Sequence, residues 1–486
     1  MAEVDVEPDA AVEVEFPCPQ APRRVLLDGE EIPTSYDPGS GLARFGWLET
    51  AAPVVDQDLS GLWKLKRESL PSLDDPAWKP YQPWASAEQS GYYHNGYLWY
   101  GTTFRAPTGE GPLHLLLTRY QDDATVYING RYAGSGNQHL ELEVSRLVQP
   151  GALNKLLICV EAQGRDAWVA GDDHSGLIGP VLLYRERESI PLTLWKRREL
   201  PRCEEFSLRI PPPQALPEYD DTDWDDCLIK PRWDSQIHGR WRAKHFLWYR
   251  TRVKVPAEWD GKKIWLEVGR AQDTTWVYVD GKLAGKVTMF RRQGRGEFGV
   301  DLTSYVRPGQ EVTLVCCVLG KWVGRKGFYQ YVRLCAADDL LKESWLIRDQ
   351  LEGERGGMAR PDYNDTAWPE ASLPGSIVTE DASEGIWWLR KKFDWTTPTD
   401  WEVPVGLALD GLNCKALVYL NGHLVGRYNP ASPQTVFHLP APWLRQHNQL
   451  ALALDTEGRS CQVGSVAVVA RFPVRRRRLE IDISGL

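Results

Sequence analysis

The sequence contains little methionine, only 3 among 486 residues, and no apolar run approaches the roughly 18 residues that a membrane helix needs. Nor does positive charge predominate, with 57 Lys and Arg against 66 Asp and Glu. With a net charge of -9 and a single basic run at residues 475–478, the chain has no overall field to attract nucleic acid. Flanked by the strand-like VAVVARFPV and LEIDI, that run reads as a solvated edge that discourages strand-to-strand association. Nine cysteines are present, but no two share the spacing of a metal site or a redox pair; most lie in apolar strand contexts and read as buried thiols. The start, MAEVDVEPDAAVEVEFP, lacks a basic region followed by an apolar core, so no secretory signal is read and a cytoplasmic location is expected. There is no G-x-S-x-G elbow, no phosphate loop ending in Lys-Ser or Lys-Thr and no H-E-x-x-H, and no cofactor or metal is expected.

What is abundant is the aromatic residue, with 22 Trp and 19 Tyr, and a pattern that occurs three times. Residues 125–134 (TVYINGRYAG), 275–285 (TWVYVDGKLAG) and 416–425 (ALVYLNGHLV) each place alternating apolar residues on both sides of an Asn-Gly or Asp-Gly pair. That is how a strand, a tight turn and a returning strand are written. The turns at Asn129, Asp280 and Asn421 lie 151 and 141 residues apart, which is the length of a domain. The expected segments are an N-terminal extension at 1–55 and three units at 56–190, 191–340 and 341–486.

Three further markers recur around each hairpin. Residues 74–78 (DDPAW), 220–224 (DDTDW) and 364–368 (NDTAW) start a turn with polar residues and anchor it with a Trp. Aromatic residues then lead into an alternating strand at Trp99, Trp248 and Trp388. After the hairpin, a turn-rich segment closes before an apolar strand, as in LEVSRLVQPGALNKLLICV. Many short strands divided by Gly, Pro and Asp predict an all-β protein of three tandem jelly-roll sandwiches with a short N-terminal β extension.

This marker order is similar to the galactose-binding-like domains attached to glycoside hydrolases. The third unit is closer still: VYLNGHLVGRYNP, then PQT (433–435), then LPAPWL (439–444), resembles the C-terminal jelly-roll domain of family 35 β-galactosidases. The resemblance implies accessory domains that accompany a (β/α)8 catalytic barrel. Retaining hydrolysis needs two facing carboxylates, and the resembled family takes its acid/base Glu from an Asn-Glu pair. No Asn-Glu dipeptide occurs in this sequence, nor does the eightfold strand–helix alternation of a barrel, so no residue is expected to be catalytic.

Binding is the remaining chemistry. Sandwich loops receive sugars where an aromatic face stacks on the ring and polar side chains bond the hydroxyls. The candidates are Tyr92, Tyr93, His94, Asp122, Arg165, Trp168, Asp172 and His174 in the first unit, and Arg270, Gln272, Asp273, Trp322 and Arg325 in the second. Within GDDHSG (171–176), Asp172 and His174 are the best local set of polar ligands, although a loop of acidic turn residues is more often simply solvated. Three functions follow: a carbohydrate-binding or scaffold array beside a separate catalytic chain, a fragment or subunit of a β-galactosidase-like hydrolase, or an assembly protein that self-associates. The expected partners are a galactoside-like carbohydrate, a catalytic glycosidase chain or further copies, with neither nucleic acid nor a membrane.

Overall fold

A computed structural model describes residues 2–52, 56–93, 95–106, 108–137, 139–162, 174–200, 212–229, 245–271, 273–289, 297–320, 327–328, 330–341, 344–377, 385–396, 398 and 400–483. It is all-β, as expected, and the described residues include one α-helix, the short Glu352–Arg355. The chain divides into two compact units, Leu70–Leu351 and the pair of segments Met1–Ser69 and Glu352–Leu486.

The unit Leu70–Leu351 holds two sandwiches. In the first, a six-stranded antiparallel sheet runs Arg131–Asn137, Asp123–Ile128, Leu153–Ala162, Gly96–Arg105, Trp345–Asp349, Lys79–Tyr81. Its inner residues, among them Leu98, Tyr100, Val126 and Ile158, share a core with Leu115, Leu117, Val181 and Leu183 of a three-stranded sheet. The second sandwich packs the six-stranded sheet around His245–Lys254 and Glu311–Gly320 against the four strands Arg187–Pro191, Val332–Ala337, Lys263–Val268 and Phe298–Asp301. A small shared core of Leu116, Leu182, Tyr184, Trp265, Cys335 and Ala337 joins these two sandwiches.

Beside that junction lies Glu267, fully buried yet ionised. It accepts from Arg333 Nε at 2.9 Å, Arg187 Nη1 at 3.3 Å and Tyr331 Oη at 3.2 Å. Burial works against the charge, but the Arg333 and Arg187 guanidinia hold the carboxyl below its ordinary range.

The other unit contains the third sandwich. A six-stranded sheet (Glu370–Leu373, Gly61–Arg67, Ile386–Asp394, His447–Asp455, Lys415–Leu420, His423–Tyr428) packs on Val436–Leu439, Val405–Leu409, Val466–Ala470 and Gln57–Asp58. The chain therefore nests its sandwiches. The third begins with Gln57–Asp58 and Gly61–Arg67 and is completed only after residue 352, while the first closes with Trp345–Asp349, after all strands of the second. These sheets cross the linear limits read from the sequence, because strand partners are chosen by edge and register and not by chain order.

All three hairpins form. Both central residues of each turn have positive φ: Asn129 52° and Gly130 79°, Asp280 45° and Gly281 79°, Asn421 52° and Gly422 88°. Glycine and Asn/Asp tolerate that region at little cost, and the resulting turn twists in the same sense as its strands. Each hairpin also carries a register shift one residue before its conserved-pattern Tyr, at Val126/Tyr127, Val277/Tyr278 and Val418/Tyr419.

Two expectations are corrected. The arginine run is no edge: Arg475–Asp482 is an inner strand, paired with Ala2–Val6 on one side and Arg24–Leu27 on the other. Its guanidinia meet N-terminal carboxylates, Arg476 with Asp5 at 2.9 Å and Arg477 with Asp28 at 2.6 Å and Glu49 at 2.8 Å, so opposite charges at the chain's two ends offset each other. Nor are all the cysteines thiols, since Cys414 and Cys461 are joined in a disulfide with Cα atoms 5.6 Å apart. Their separation of 47 residues follows no spacing rule, and only the folded sheet brings them together. Cys18, Cys159, Cys227, Cys316, Cys317 and Cys335 are buried thiols.

Candidate functional site

Of the residues singled out as sugar ligands, His94, Arg165, Trp168, Asp172, Gln272, Trp322 and Arg325 lie outside the described residues. Tyr93 is 72% exposed, whereas its neighbour Tyr92 belongs to the core of the first sandwich, beneath the Lys79 ammonium at 5.1 Å. Asp122 is buried, at 3% exposure, and so faces protein and not solvent. His174 reaches Glu88, its Nδ1 3.9 Å from Oε2, and Ser175 Oγ donates to the same carboxylate at 2.6 Å. Glu88 escaped the sequence reading because it precedes its partners by some 86 residues. Arg270 is partly exposed, and Asp273 opens the strand Asp273–Val279.

A recess of about 860 Å³ lies elsewhere, at one end of the third sandwich. That is the size range of small-molecule sites. One wall is residues 439–444, the LPAPWL string, in which Ala441–Trp443 forms a single 3-10 turn with Trp443 N donating to Pro440 O at 2.9 Å. Two prolines in so short a span, Pro440 and Pro442, lack the N–H that a sheet ladder needs, so the segment leaves Val436–Leu439 and presents an apolar shelf. The rest of the lining comes from the connection that leads into the neighbouring strand Val405–Leu409, whose Val405 pairs with Leu439, and includes Trp395, Asp400, Trp401 and Glu402. This connection is pinned where Trp395 N donates to Gln446 O at 2.9 Å and where Glu402 and Val474 exchange backbone hydrogen bonds at 2.8 and 2.9 Å.

The cations at the recess are already engaged. Arg475 binds Glu49 at 3.2 Å with its guanidinium about 6.0 Å from the Trp401 ring centre, and Arg476 binds Asp5 at 2.9 Å. Burial works against the charge of Glu49, but hydrogen bonds from Arg477 and Thr50 hold its carboxyl down at about 2, so it stays an anion for these arginines. Asp28 is likewise taken, by Arg477 and by the backbone N–H of Arg478 at 2.7 Å. Asp400 and Glu402 differ. Both are exposed, and neither carboxylate has a hydrogen bond or ion pair among the described residues. LPAPWL carries a family resemblance in the sequence but no ligand signature, and Asp400 and Glu402 belong to no recognisable motif.

No group of three or more His, Cys, Asp or Glu able to hold a metal occurs among the described residues. No helix there is long and apolar enough to cross a membrane.

The comparisons with known proteins agree with the recurring sandwiches. The model of the β-galactosidase second all-beta domain matches residues 68–166 and matches again at residues 353–460, each time from just before the polar-Trp motif through the hairpin and the strand after it. Beta-galactosidase 8 of Arabidopsis thaliana is 22% identical over 283 residues, covering 48% of this chain and 31% of that protein. Beta-galactosidase 6 of Oryza sativa subsp. japonica is 25% identical over 233 residues, 43% of this chain and 24% of that one. The chain thus spans a third or less of the length of these relatives. Among solved structures, a β-glucuronidase from Ruminococcus gnavus aligns over 58% of this chain and 44% of its own at 16% identity, with a TM-score of 0.25. The resemblance to β-galactosidase accessory domains, read from the third unit, holds there and extends to the first.

Proposed function

We propose that this glycoside hydrolase-related chain is a non-catalytic array of β-sandwiches that binds carbohydrate or carries a separate catalytic chain, as the accessory half of a β-galactosidase-like enzyme. The observation that carries the reading is the double match to a β-galactosidase all-beta domain, at residues 68–166 and 353–460. Supporting it, the described residues lack the strand–helix alternation of a catalytic barrel. Isothermal titration with methyl β-galactoside and a panel of other neutral glycosides tests the carbohydrate arm. Saturable heat with at least one sugar is the expected result, and none with any would sink it.

A second reading, assembly with further protein, is favoured by one specific feature. Leu194 and Leu228 face each other across the edge of the second sandwich and are 72% and 51% exposed. Exposed apolar pairs on an edge strand are what association covers. Light scattering that finds a concentration-dependent oligomer, lost in Leu194→Lys/Leu228→Lys, alongside no sugar binding, would make assembly the function.

A further inference from the structure

We propose that the recess at the end of the third sandwich is a binding site for a neutral hexose residue, selective against acidic sugars. The proposal rests on the carbohydrate reading above and specifies where and how the sugar is held.

Three features point to this ligand. First, Asp400 and Glu402 bring carboxylate acceptors to the recess without any hydrogen-bond or ion-pair partner among the described residues, whereas neighbouring Asp28 is held by Arg477. A sugar hydroxyl donates well to such a charged acceptor. Second, Pro440, Pro442 and Leu444 line the recess with C–H groups, which suits the apolar face of a pyranose ring. A lining that combines C–H groups with carboxylate acceptors suits a ring that has one apolar face and a hydroxylated rim. Third, Arg475 and Arg476, which would otherwise attract a carboxylate or sulfate, are already paired with Glu49 and Asp5. An acidic sugar would meet the exposed carboxylates of Asp400 and Glu402, the latter also facing Arg476, with His438 as the remaining titratable side chain of the lining. Trp395 and Trp401 are mostly buried behind the recess, where they stiffen its wall without offering an open face.

The test is calorimetric titration of the full chain with methyl β-galactopyranoside, glucosamine and galacturonic acid, in the wild type and in Asp400→Asn, Glu402→Gln and Ala441→Trp. The two carboxylate changes are conservative and exposed, so their melting temperatures should stay at the wild-type value; Ala441→Trp fills the recess from the shelf side. The expected result is saturable binding of the neutral galactoside and none of the uronic acid. Each variant should weaken that binding about tenfold or more, the equivalent of one charge-assisted hydrogen bond. Unchanged affinity in all three variants would overturn the site while leaving the carbohydrate reading intact. Equal binding of galacturonic acid, or binding of glucosamine alone, would overturn the selectivity for a neutral ring. Absence of binding by the wild type to every neutral hexoside would overturn both the site and the reading on which it rests.

Discussion

The first and third sandwiches match the same domain model, yet they solve one packing problem differently. In the third, Arg390 stands two residues after Trp388 on a long inner strand; it is fully buried, with Nε 2.8 Å from Asp365 Oδ2 and its guanidinium 5.9 Å from the Trp368 ring. The second sandwich repeats this with Arg250, Asp221 at 2.9 Å and Trp224 at 6.0 Å. In the first, the same place is Gly101, and the guanidinium arrives instead from the neighbouring strand: Arg348 is 3.1 Å from Asp75 and 5.5 Å from the Trp78 ring. Gly101 is required there, because a Cβ would lie 2.4 Å from Leu73 Cδ2 and 3.2 Å from Trp78. The lesson is that the motif read as Asp/Asn-x-x-x-Trp is half of a buried cation site, and the fold keeps the cation while changing the strand that supplies it.

A second difference lies around the paired tryptophans. The Trp388 indole N–H donates to Glu68, which also accepts from Gly353 N at 2.9 Å; the Trp99 indole N–H has no hydrogen-bond partner among the described residues. Gln350 occupies in the first sandwich the position of Glu68 in the third, each bonding back through N–H, to Tyr97 O at 2.9 Å and to Ile386 O at 2.8 Å. Burial, reinforced by Glu354 and Glu352, pushes the Glu68 carboxyl up to about 7.

The comparison can be broken most severely at the cation. Arg390→Ala should cost about 3–5 kcal/mol, since it leaves Asp365 partly buried without its charge partner. Arg348→Ala should cost a comparable amount despite its different strand; urea unfolding of both variants measures this, and a near-neutral Arg348→Ala would mean the two sites are not equivalent. The third sandwich also has the Cys414–Cys461 bond, which closes a 47-residue separation. Replacing both with Ser should cost about 4 kcal/mol in the chain-entropy limit, read as a lower melting temperature that added reductant no longer changes.

Glu68→Gln copies the first sandwich into the third and should act in the opposite direction. With a folded value raised from 4.5 to about 7, the Glu68 contribution to stability is fully present below pH 4.5 and is lost as pH rises through 7. The variant should therefore match the wild type near pH 4.5 and exceed it by about 3 kcal/mol at pH 8. A constant difference across that range would show that the carboxyl titrates normally. The smallest effect is expected for Gly101→Ala, about 1–3 kcal/mol from overpacking against Leu73 and Trp78.

Much of this was legible in the sequence because it is local. Turn pairs such as Asn421-Gly422 dictate hairpins, and alternation dictates strands with one buried face, so the all-β class and the threefold recurrence could be read directly. What escaped was everything that depends on long-range pairing. Nothing within residues 345–349 says that they complete a sheet begun some 265 residues earlier, and nothing near Arg476 names Asp5 as its partner. The recess at the LPAPWL shelf was hidden for the same reason, since the rest of its lining comes from residues 395–404 and its rim from both ends of the chain.

Sandwiches that hold sugar without cleaving it leave a galactoside intact. Incubating the purified chain alone with a chromogenic β-galactoside measures this most directly: release of the chromophore should not exceed the enzyme-free blank across pH 4 to 8. Turnover that persists through purification and disappears on mutation of a carboxylate pair in this chain would contradict it.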